Sequence, residues 1–225
     1  MKKARRQEPF DELETTDYVL ATLYYSGRAL TKLKIMKILA AFAKLTGKED
    51  QLDYAPYRMG LYSPEVNATI RELAQAGILE QTRYGYRLTP RGLRYALQSV
   101  QRLERLARDD AELLKRLTRS MEKLRREELL LMHYVIICDE PCREVSEEWK
   151  KIEKRRKEIA LSMYRRGLAT WRLAARLAGM QPDEFAEYAE TRGVRVGYRL
   201  SLSDIKAAEK DADLLRPRHK RRSNR

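Results

Sequence analysis

Residues 60–92, GLYSPEVNATIRELAQAGILEQTRYGYRLTPRG, hold the pattern that decides the fold of the first part of the chain. Ser63 and Pro64 predict the start of a helix, because a serine hydroxyl accepts hydrogen bonds from the free amides of a first turn and proline suits its first position. Apolar residues then recur at helical spacing before Gly77, at Val66, Ile70 and Leu73. The pattern therefore predicts a helix of about four turns with one apolar face.

A two-stranded hairpin is predicted directly after this helix. Residues 78–83 and 86–89 have the composition of short strands, and Tyr84-Gly85 between them suits a tight turn. Pro90 then predicts the start of another helix.

Two further helices are predicted before residue 60. The first covers residues 18–25 and ends at Gly27, and the second begins after Thr31 and ends at Gly47. Residues 48–62 are predicted to form a polar, tyrosine-rich loop. Three helices followed by a hairpin is the order of a winged helix-turn-helix.

The same stretch also resembles a known family. Residues 54–92 resemble the winged-helix proteins of archaea and of phage or antitoxin loci, in which a Gly-Pro-Tyr-Ser step precedes the third helix. Here the step reads Gly60-Leu61-Tyr62-Ser63, without the proline, and the family's closing Leu-Thr-x-x-Gly is present as Leu88-Thr89-Pro90-Arg91-Gly92. The match as a whole covers about 75 residues, of which residues 54–92 carry the motifs, and it implies a winged helix-turn-helix, a module that also occurs as a dimerisation or protein-binding unit.

The third predicted helix and the hairpin carry the candidate DNA-binding residues. Asn67, Ala68, Arg71 and Gln75 lie off the apolar stripe, and asparagine and arginine are the usual readers of adenine and guanine. At the hairpin tip, two arginines flank aromatic residues and a glycine, which suits contact with phosphates or the minor groove. A plain solvated hairpin is the alternative. The predicted DNA-binding residues of this module are Arg58, Ser63, Asn67, Arg71, Gln75, Arg83, Tyr84, Tyr86 and Arg87.

The charge of the chain favours a polyanionic partner. The 225 residues contain 47 Lys and Arg and 33 Asp and Glu, a net charge of +14, which raises encounter rates with nucleic acid. The excess is concentrated at the two ends, which are predicted to be disordered basic arms that bind phosphates. The basic residues of the arms are Lys2, Lys3, Arg5 and Arg6, and Arg216, Arg218, Lys220, Arg221, Arg222 and Arg225. These ten residues leave only +4 to the rest of the chain, so its positive sites must be local.

Residues 90–131 are predicted to form one long helix. With Leu93 as position a of a heptad, ten of the twelve a and d positions are apolar, which favours a packed helical seam. We expect residues 93–131 to form a homodimer, because two-fold symmetry suits a paired DNA site. Packing of this seam onto the protein's own domains is the alternative. Beyond it, residues 129–138 are apolar and predicted to be buried, and residues 144–157 are predicted to begin a charged, solvated helix.

A second helix-turn-helix is predicted near the end of the chain. Thr170 suits the cap of a helix over residues 171–178, Gly179 suits the turn, and Pro182 suits the start of a helix that ends at Gly193. Residues 164–194 resemble a family of small archaeal and bacterial helix-turn-helix antitoxin-like proteins, which implies this fold.

The charge of this second pair disagrees with DNA binding. Its would-be recognition helix carries four carboxylates, which a phosphate-lined groove would repel; they belong to Asp183, Glu184, Glu187 and Glu190. We therefore expect residues 182–192 to contact a protein partner, with backbone docking of DNA through the preceding basic helix as the alternative.

Other classes of protein find little support in the sequence. The longest apolar run is too short to span a bilayer, and no secretory signal is recognised, so we expect a cytoplasmic, nucleoid-associated protein. Cys138 and Cys142 have only His133 as a nearby companion, which makes a poor four-ligand zinc site, so we expect a buried or idle pair, with a disulfide as a minor alternative. No catalytic motif is present, and we expect no enzyme activity, no metal and no cofactor. The few Asn and Gln residues among many charges favour a thermophilic source.

Together these patterns predict a mainly α protein. Its predicted parts are a basic arm at 1–14, a winged helix-turn-helix with a small β-hairpin at 15–89, a long helix and buried connector at 90–146, a helical helix-turn-helix module at 147–200 and a basic tail at 201–225. The function that fits best is a double-stranded DNA-binding transcriptional regulator or antitoxin-like repressor of an archaeon. The alternatives are an RNA- or ribosome-associated protein, an architectural chromatin protein and a toxin-binding adaptor.

Overall fold

The computed structural model describes residues 12–196. In that range the chain forms eleven α-helices and two two-stranded sheets, which confirms the predicted mainly α class. Two compact units are separated between Phe185 and Ala186. The basic residues predicted for the two arms lie outside the described residues. Within residues 12–196, no helix has the length and apolar character needed to cross a membrane.

The first part of the chain alternates helices and hairpins. Its elements are α1 (Thr15–Ser26), α2 (Lys32–Thr46), β1 (Ala55–Tyr57), β2 (Gly60–Tyr62), α3 (Pro64–Gln75), β3 (Leu79–Thr82) and β4 (Gly85–Leu88).

Side-chain caps start the helices where the sequence predicts them. The hydroxyl of Thr31 accepts a hydrogen bond from the backbone N–H of Lys34 at 3.2 Å and so starts α2. The hydroxyl of Ser63 accepts from the N–H of Val66 at 2.9 Å, with Pro64 at the first helical position of α3. These bonds satisfy amides that have no partner within the helix itself.

The predicted loop over residues 48–62 is wrong for its second half. Residues 55–57 and 60–62 pair as an antiparallel hairpin, in the register Ala55 to Tyr62. Each strand has only three residues and no clear alternation of apolar and polar side chains, so the usual strand signal is absent. As a result, the connection between α2 and α3 is long and contains a hairpin of its own.

The second hairpin is joined to the start of α2. Strands β3 and β4 pair from Leu79–Leu88 to Thr82–Gly85, and an isolated bridge pairs Tyr86 with Leu30. Both hydrogen bonds of this bridge are formed, at 2.9 Å from the N–H of Leu30 and at 2.8 Å from the N–H of Tyr86. Gly85 makes this approach possible, because its φ is 123° and a Cβ there would lie 2.2 Å from the carbonyl oxygen of Leu30.

The predicted single helix over residues 90–131 is wrong. Three helices replace it, namely α4 (Pro90–Leu106), α5 (Arg108–Met121) and α6 (Arg126–Met132). Ala107 between α4 and α5 has φ −149° and ψ 67°, which is outside the helical region. The break lets α4 and α5 both pack against α1, and α5 also packs against α2.

The apolar seam of the predicted helix is used inside the chain. Most of its a and d residues are buried, including Ala96, Val100, Leu103, Leu114 and Met121. Arg102 of α4 forms an ion pair, at 3.4 Å, with the buried carboxylate of Asp17 and so links α4 to α1. This is the packing onto the protein's own domains that the heptad pattern left open.

A π-helical turn, His133–Ile137, follows α6 directly. As predicted, this apolar stretch is largely buried, with Leu130, His133 and Tyr134 inaccessible to solvent. The charged segment after it forms three short helices, α7 (Glu140–Glu144), α8 (Glu147–Lys154) and α9 (Arg156–Arg165). Cys138 and Cys142 are both buried, as expected, and they are joined by a disulfide, which was the minor alternative to an idle pair.

The last two helices are α10 (Trp171–Ala178) and α11 (Pro182–Glu190). Thr170 caps α10 by accepting from the N–H of Leu173 at 3.3 Å, and Gly179 ends it with φ 69°. These are the helix, cap and turn that the sequence predicts. The division between the two compact units falls inside α11, and the described part of the second unit ends at residue 196.

Candidate nucleic-acid interface

Helix α3 presents a polar stripe opposite its buried face. Val66, Ile70 and Leu73 are buried, as the apolar pattern predicts. Arg71 and Gln75 are exposed and Asn67 is half-buried. Because these three residues are spaced by four, they lie on one face of the helix. The structure therefore places on one face of α3 the three residues that the sequence predicts to contact bases.

A lysine that the sequence reasoning missed extends this stripe. The side-chain oxygen of Asn67 accepts a hydrogen bond from Nζ of Lys32, at 3.1 Å, at the start of α2. Lys32 is exposed, so its charge stands beside the polar face of α3. Only its position directly after the Thr31 cap, at the start of a predicted helix, marks it in the sequence.

The tip of the second hairpin carries an exposed arginine and tyrosine. The guanidinium of Arg83 lies 4.6 Å from the ring centre of Tyr84, whose side chain is 63% exposed. The hydroxyl of Thr82 donates to the carbonyl of Gly85 at 2.9 Å and accepts from the N–H of Tyr84 at 3.2 Å. The tip is therefore braced by its own threonine, and a flat aromatic ring and a cation lie together at its surface.

Neither Arg71 nor Arg83 forms an ion pair with another described residue, which distinguishes them from their neighbours. Arg87 on β4 is paired with Glu80 across the hairpin at 2.8 Å. Arg28, at the end of α1, is paired with Glu122 at 3.1 Å. A groove of about 940 Å³ between the end of α1, the hairpin and the start of α4 is lined by Arg28, Arg83 and Arg87. The arginines near the hairpin therefore differ, because Arg28 and Arg87 are already paired with carboxylates and Arg71 and Arg83 have no ion pair among the described residues.

Two of the predicted DNA-binding residues are buried in the structure. Ser63 is inaccessible to solvent and its hydroxyl is occupied by the N–H of Val66, so its role is to start α3. Tyr86 is 9% exposed and its backbone pairs with Leu30, so its role is to anchor the hairpin. Both residues fix the position of neighbouring elements but are themselves buried, so neither belongs to the exposed candidate interface.

Arg58 lies in the turn between β1 and β2, apart from the second hairpin. Its side chain is exposed, while its carbonyl oxygen accepts a hydrogen bond from Ser146 at 2.7 Å. It lines a second groove, of about 640 Å³, together with Lys32 and with Lys151 of α8. Arg58 is therefore brought near Lys32 by the β1–β2 hairpin that the sequence does not predict.

Helix α2 contains a buried lysine, Lys37, which the sequence did not identify as buried. Lys37 of α2 is 2% exposed, and its Nζ donates to the carbonyl oxygens of Met59 and of Leu61, the latter at 2.9 Å. Burial lowers the pKa of Lys37 to about 7. The ring of His133 completes the cluster, because its Nε2 accepts from the N–H of Leu61 at 3.1 Å and lies 3.4 Å from Nζ of Lys37. Burial, and then the charge of Lys37, hold the pKa of His133 well below its usual range.

The second helix pair has the opposite chemistry. Asp183 and Glu184 stand in the first turn of α11, and the carboxylate of Glu184 accepts from the N–H of Gln181 at 2.9 Å. Glu187 and Glu190 follow on the same helix. Carboxylates at a helix N-terminus interact favourably with its free amides, so these acids have a structural reason to be there.

No family model, no curated protein and no solved structure matches the chain. What the molecule does is therefore inferred from its own surface.

Proposed function

We propose that residues 15–89 bind double-stranded DNA as a winged helix-turn-helix, and that the protein is a transcriptional regulator or an antitoxin-like repressor. In this proposal α3 enters the major groove, and the β3–β4 hairpin is the wing that contacts the backbone. The single observation that carries it is the polar stripe of α3, Asn67, Arg71 and Gln75, on the solvent side of a helix whose other face is buried.

The pairing of the hairpin with Leu30 supports the same assignment. A wing serves as a DNA contact only if it is held at a fixed place beside the recognition helix. Here the two hydrogen bonds between Leu30 and Tyr86 attach β4 to the segment that precedes α2. Arg83 and Tyr84 at the tip then project from a supported hairpin.

Charge supports contact with phosphates at local sites. Residues 12–196 contain 34 Lys and Arg against 27 Asp and Glu, so the described chain is only moderately basic. Lys32, Arg71 and Arg83 provide three cations on or beside α3 and the wing. Arginine and lysine contacts with phosphates fix the register of a protein on DNA, while contacts with base edges read the sequence. The ten basic residues of the two ends would add affinity without sequence preference.

The homodimer through residues 93–131 stays a prediction. Although most of the seam is buried within the chain, Leu93 and Leu97 remain 51% and 43% exposed, one turn apart on α4. A two-fold dimer through this face would present two recognition helices to a paired site. In the same way, residues 182–192 remain the proposed contact for a protein partner.

Salt-dependent DNA binding tests the proposal. We would measure the affinity of the full chain for duplex fragments by fluorescence anisotropy at several salt concentrations, and repeat it with the double variant Arg71→Ala, Arg83→Ala. We expect affinity to fall steeply with salt, and the slope of log K against log salt to become shallower by about 2 in the double variant. The matched control is Arg176→Ala, which removes an exposed arginine of α10 and should leave the slope unchanged.

Four results would contradict the proposal in different ways. A slope near zero would exclude phosphate binding. A clear preference for structured RNA in competition with duplex DNA would favour an RNA-associated protein. Uniform protection in footprinting would favour an architectural chromatin protein over an operator-specific repressor. Recovery of a stoichiometric protein partner without nucleic acid would favour the toxin-binding adaptor.

A further inference from the structure

Three side chains of types that can bind a metal ion lie close together next to the β1–β2 hairpin. One ring nitrogen of His133 and the sulfur atoms of Cys138 and Cys142 all lie within 4.8 Å of one another. All three residues are buried, and His133 and Cys142 are inaccessible to solvent. Imidazole nitrogen and cysteine sulfur are the ligands that zinc and other thiophilic ions prefer in proteins.

The local fold places these residues together. His133 opens the π-helical turn, and the N–H of Cys138 at its end donates to the carbonyl of His133 at 2.8 Å. Asp139 then caps α7, where its carboxylate accepts from the N–H of Cys142 at 3.3 Å. The π turn and the cap that follows it therefore place both cysteines near the histidine.

A second observation points into this cluster. Nδ1 of His133 is buried and has no hydrogen-bond partner among the described residues, whereas Nε2 accepts from the N–H of Leu61. A buried polar group without a hydrogen-bond partner is unfavourable, because it has lost its contacts with water and gained none in return. Since Nε2 is occupied, Nδ1 is the nitrogen that remains for a ligand, and a metal ion would satisfy it.

We propose that the reduced protein binds one thiophilic divalent ion, such as Zn²⁺, through His133, Cys138 and Cys142. Three protein ligands leave the fourth position of a tetrahedral ion to water. This inference does not depend on DNA binding.

The disulfide between Cys138 and Cys142 must open first. A cellular dithiol would supply the two electrons, so that the sulfur–sulfur bond breaks, two thiols form and the dithiol becomes a disulfide. On metal binding the two thiol protons leave for solvent, and the Nδ1 proton leaves with them. The disulfide-bonded and metal-bound forms therefore exclude each other.

Charge also suits such an ion. Two thiolates balance the charge of a divalent cation, which limits the cost of placing it in a buried site. Loss of the Nδ1 proton leaves Nε2 with the hydrogen bond from Leu61 and with Nζ of Lys37 at 3.4 Å.

Cobalt titration of the full chain tests the proposal, because Co²⁺ bound to thiolate absorbs by ligand-to-metal charge transfer. The chain contains only two cysteines, so every thiolate signal comes from this pair. After anaerobic reduction, we expect a charge-transfer band that saturates at one Co²⁺ per chain and disappears when Zn²⁺ is added. The disulfide-bonded protein should show no such band.

The informative variant is His133→Gln, because the glutamine amide oxygen can still accept from Leu61 while the ligand at Nδ1 is lost. Loss of a residue that only hydrogen-bonds to a metal ligand lowers metal affinity by ~10–100-fold. Loss of a ligand itself should lower the cobalt affinity by at least as much. Circular dichroism checks that the variant is folded. The double variant Cys138→Ser, Cys142→Ser should abolish the band.

Two results would overturn the proposal. If the reduced wild-type protein shows no thiolate–cobalt band, the cysteines form a structural disulfide only. If the band appears but its affinity is the same in folded His133→Gln, the histidine is not a ligand and the three-residue site is wrong.

Discussion

The two predicted helix-turn-helix pairs, α2–α3 and α10–α11, differ in both connection and charge. In the first pair, residues 47–63 separate the helices and include the β1–β2 hairpin, whereas in the second pair only residues 179–181 separate them. The short connection is the one typical of helix-turn-helix motifs. In the proposed function the DNA-contacting helix is nevertheless α3, because α11 carries four carboxylates, which phosphates would repel. Surface charge therefore separates the two pairs more clearly than the length of the turn does.

The pairs also differ in what they bury. Helix α10 buries Ala174, Ala175, Leu177 and Ala178, all small or apolar. Helix α2 buries Lys37, whose ammonium group is held by two carbonyl oxygens from the neighbouring hairpin. The first pair thus adds a buried polar contact to the apolar packing of α2, whereas the buried residues of α10 are all small or apolar. The predictions below test this difference, beginning with the largest effect.

The substitution Gly85→Ala should destabilise the first pair most. A Cβ at residue 85 would meet the backbone of Leu30 at 2.2 Å, and the φ of 123° is itself unfavourable for alanine. We expect a loss of about 3 kcal/mol or more in the free energy of unfolding, measured by urea denaturation.

Gly27→Ala is the control for this change. Gly27 also has a positive φ, of 65°, but a Cβ there would meet nothing within 4 Å. We expect it to lose only about 1 kcal/mol. Equal losses in the two variants would show that the contact between the hairpin and Leu30 contributes little.

The substitution Lys37→Met should remove a pH dependence of stability. The pKa of Lys37 is lowered by burial to about 7, from 10.5. Between these values the unfolded chain binds a proton that the folded chain does not, so stability rises with pH; below pH 7 both states are protonated and the burial penalty is fully present. We expect the free energy of unfolding to rise by about 2 kcal/mol from pH 7 to pH 9 in the wild type, and this rise to be absent in the variant.

Lys44→Met is the matched control for Lys37→Met. Lys44 lies on the same helix but is exposed. It should retain the wild-type rise, as measured by urea denaturation at a series of pH values. Parallel profiles for wild type and Lys37→Met would mean that Lys37 does not cause the dependence.

Arg83→Ala should lower DNA affinity more than Arg87→Ala. Both residues lie on the β3–β4 hairpin, but Arg87 is paired with Glu80. An arginine whose charge is already paired contributes less to phosphate binding. We expect a loss of about 1 kcal/mol for Arg83→Ala, as one phosphate contact would give, and a smaller loss for Arg87→Ala, measured by anisotropy at fixed salt. The reverse order would indicate that DNA breaks the pair with Glu80 on binding.

The smallest effect is expected on the second pair. The double variant Asp183→Asn, Glu184→Gln removes two negative charges from the first turn of α11. If this helix lies away from DNA, affinity should change by less than about twofold, because exposed charges beyond the screening length contribute little. A larger gain in affinity would show that α11 lies against the DNA and would remove the distinction between the two pairs.

Local signals in the sequence predicted where several helices begin. Thr31, Ser63 and Thr170 each accept from an amide of the helix that follows, as predicted, and α4 begins at Pro90, as predicted. A cap depends on only three or four neighbouring residues, so the sequence contains all the information that it needs. The polar stripe of α3 was predictable for the same reason, since it is the complement of the apolar one.

Contacts between distant segments were not predictable in this way. A heptad pattern shows that a helix face will be buried but not which segment will cover it. It therefore predicted neither the break at Ala107 nor the packing of α4 and α5 on α1. Lys37 gives no sign of burial in the sequence, because its acceptors are backbone carbonyls of Met59 and Leu61. The role of His133 depends on the same hairpin.

The packing of α1 also has a consequence for how the chain is made. Its apolar face, which includes Val19, Leu20 and Leu23, is covered by helices that end about 95 residues later, at Met121. At a synthesis rate of roughly 5–20 residues per second, a ribosome needs about 5–20 s to produce them. During that interval α1 lacks its main packing partners, α4 and α5, so part of its apolar face stays exposed on the nascent chain.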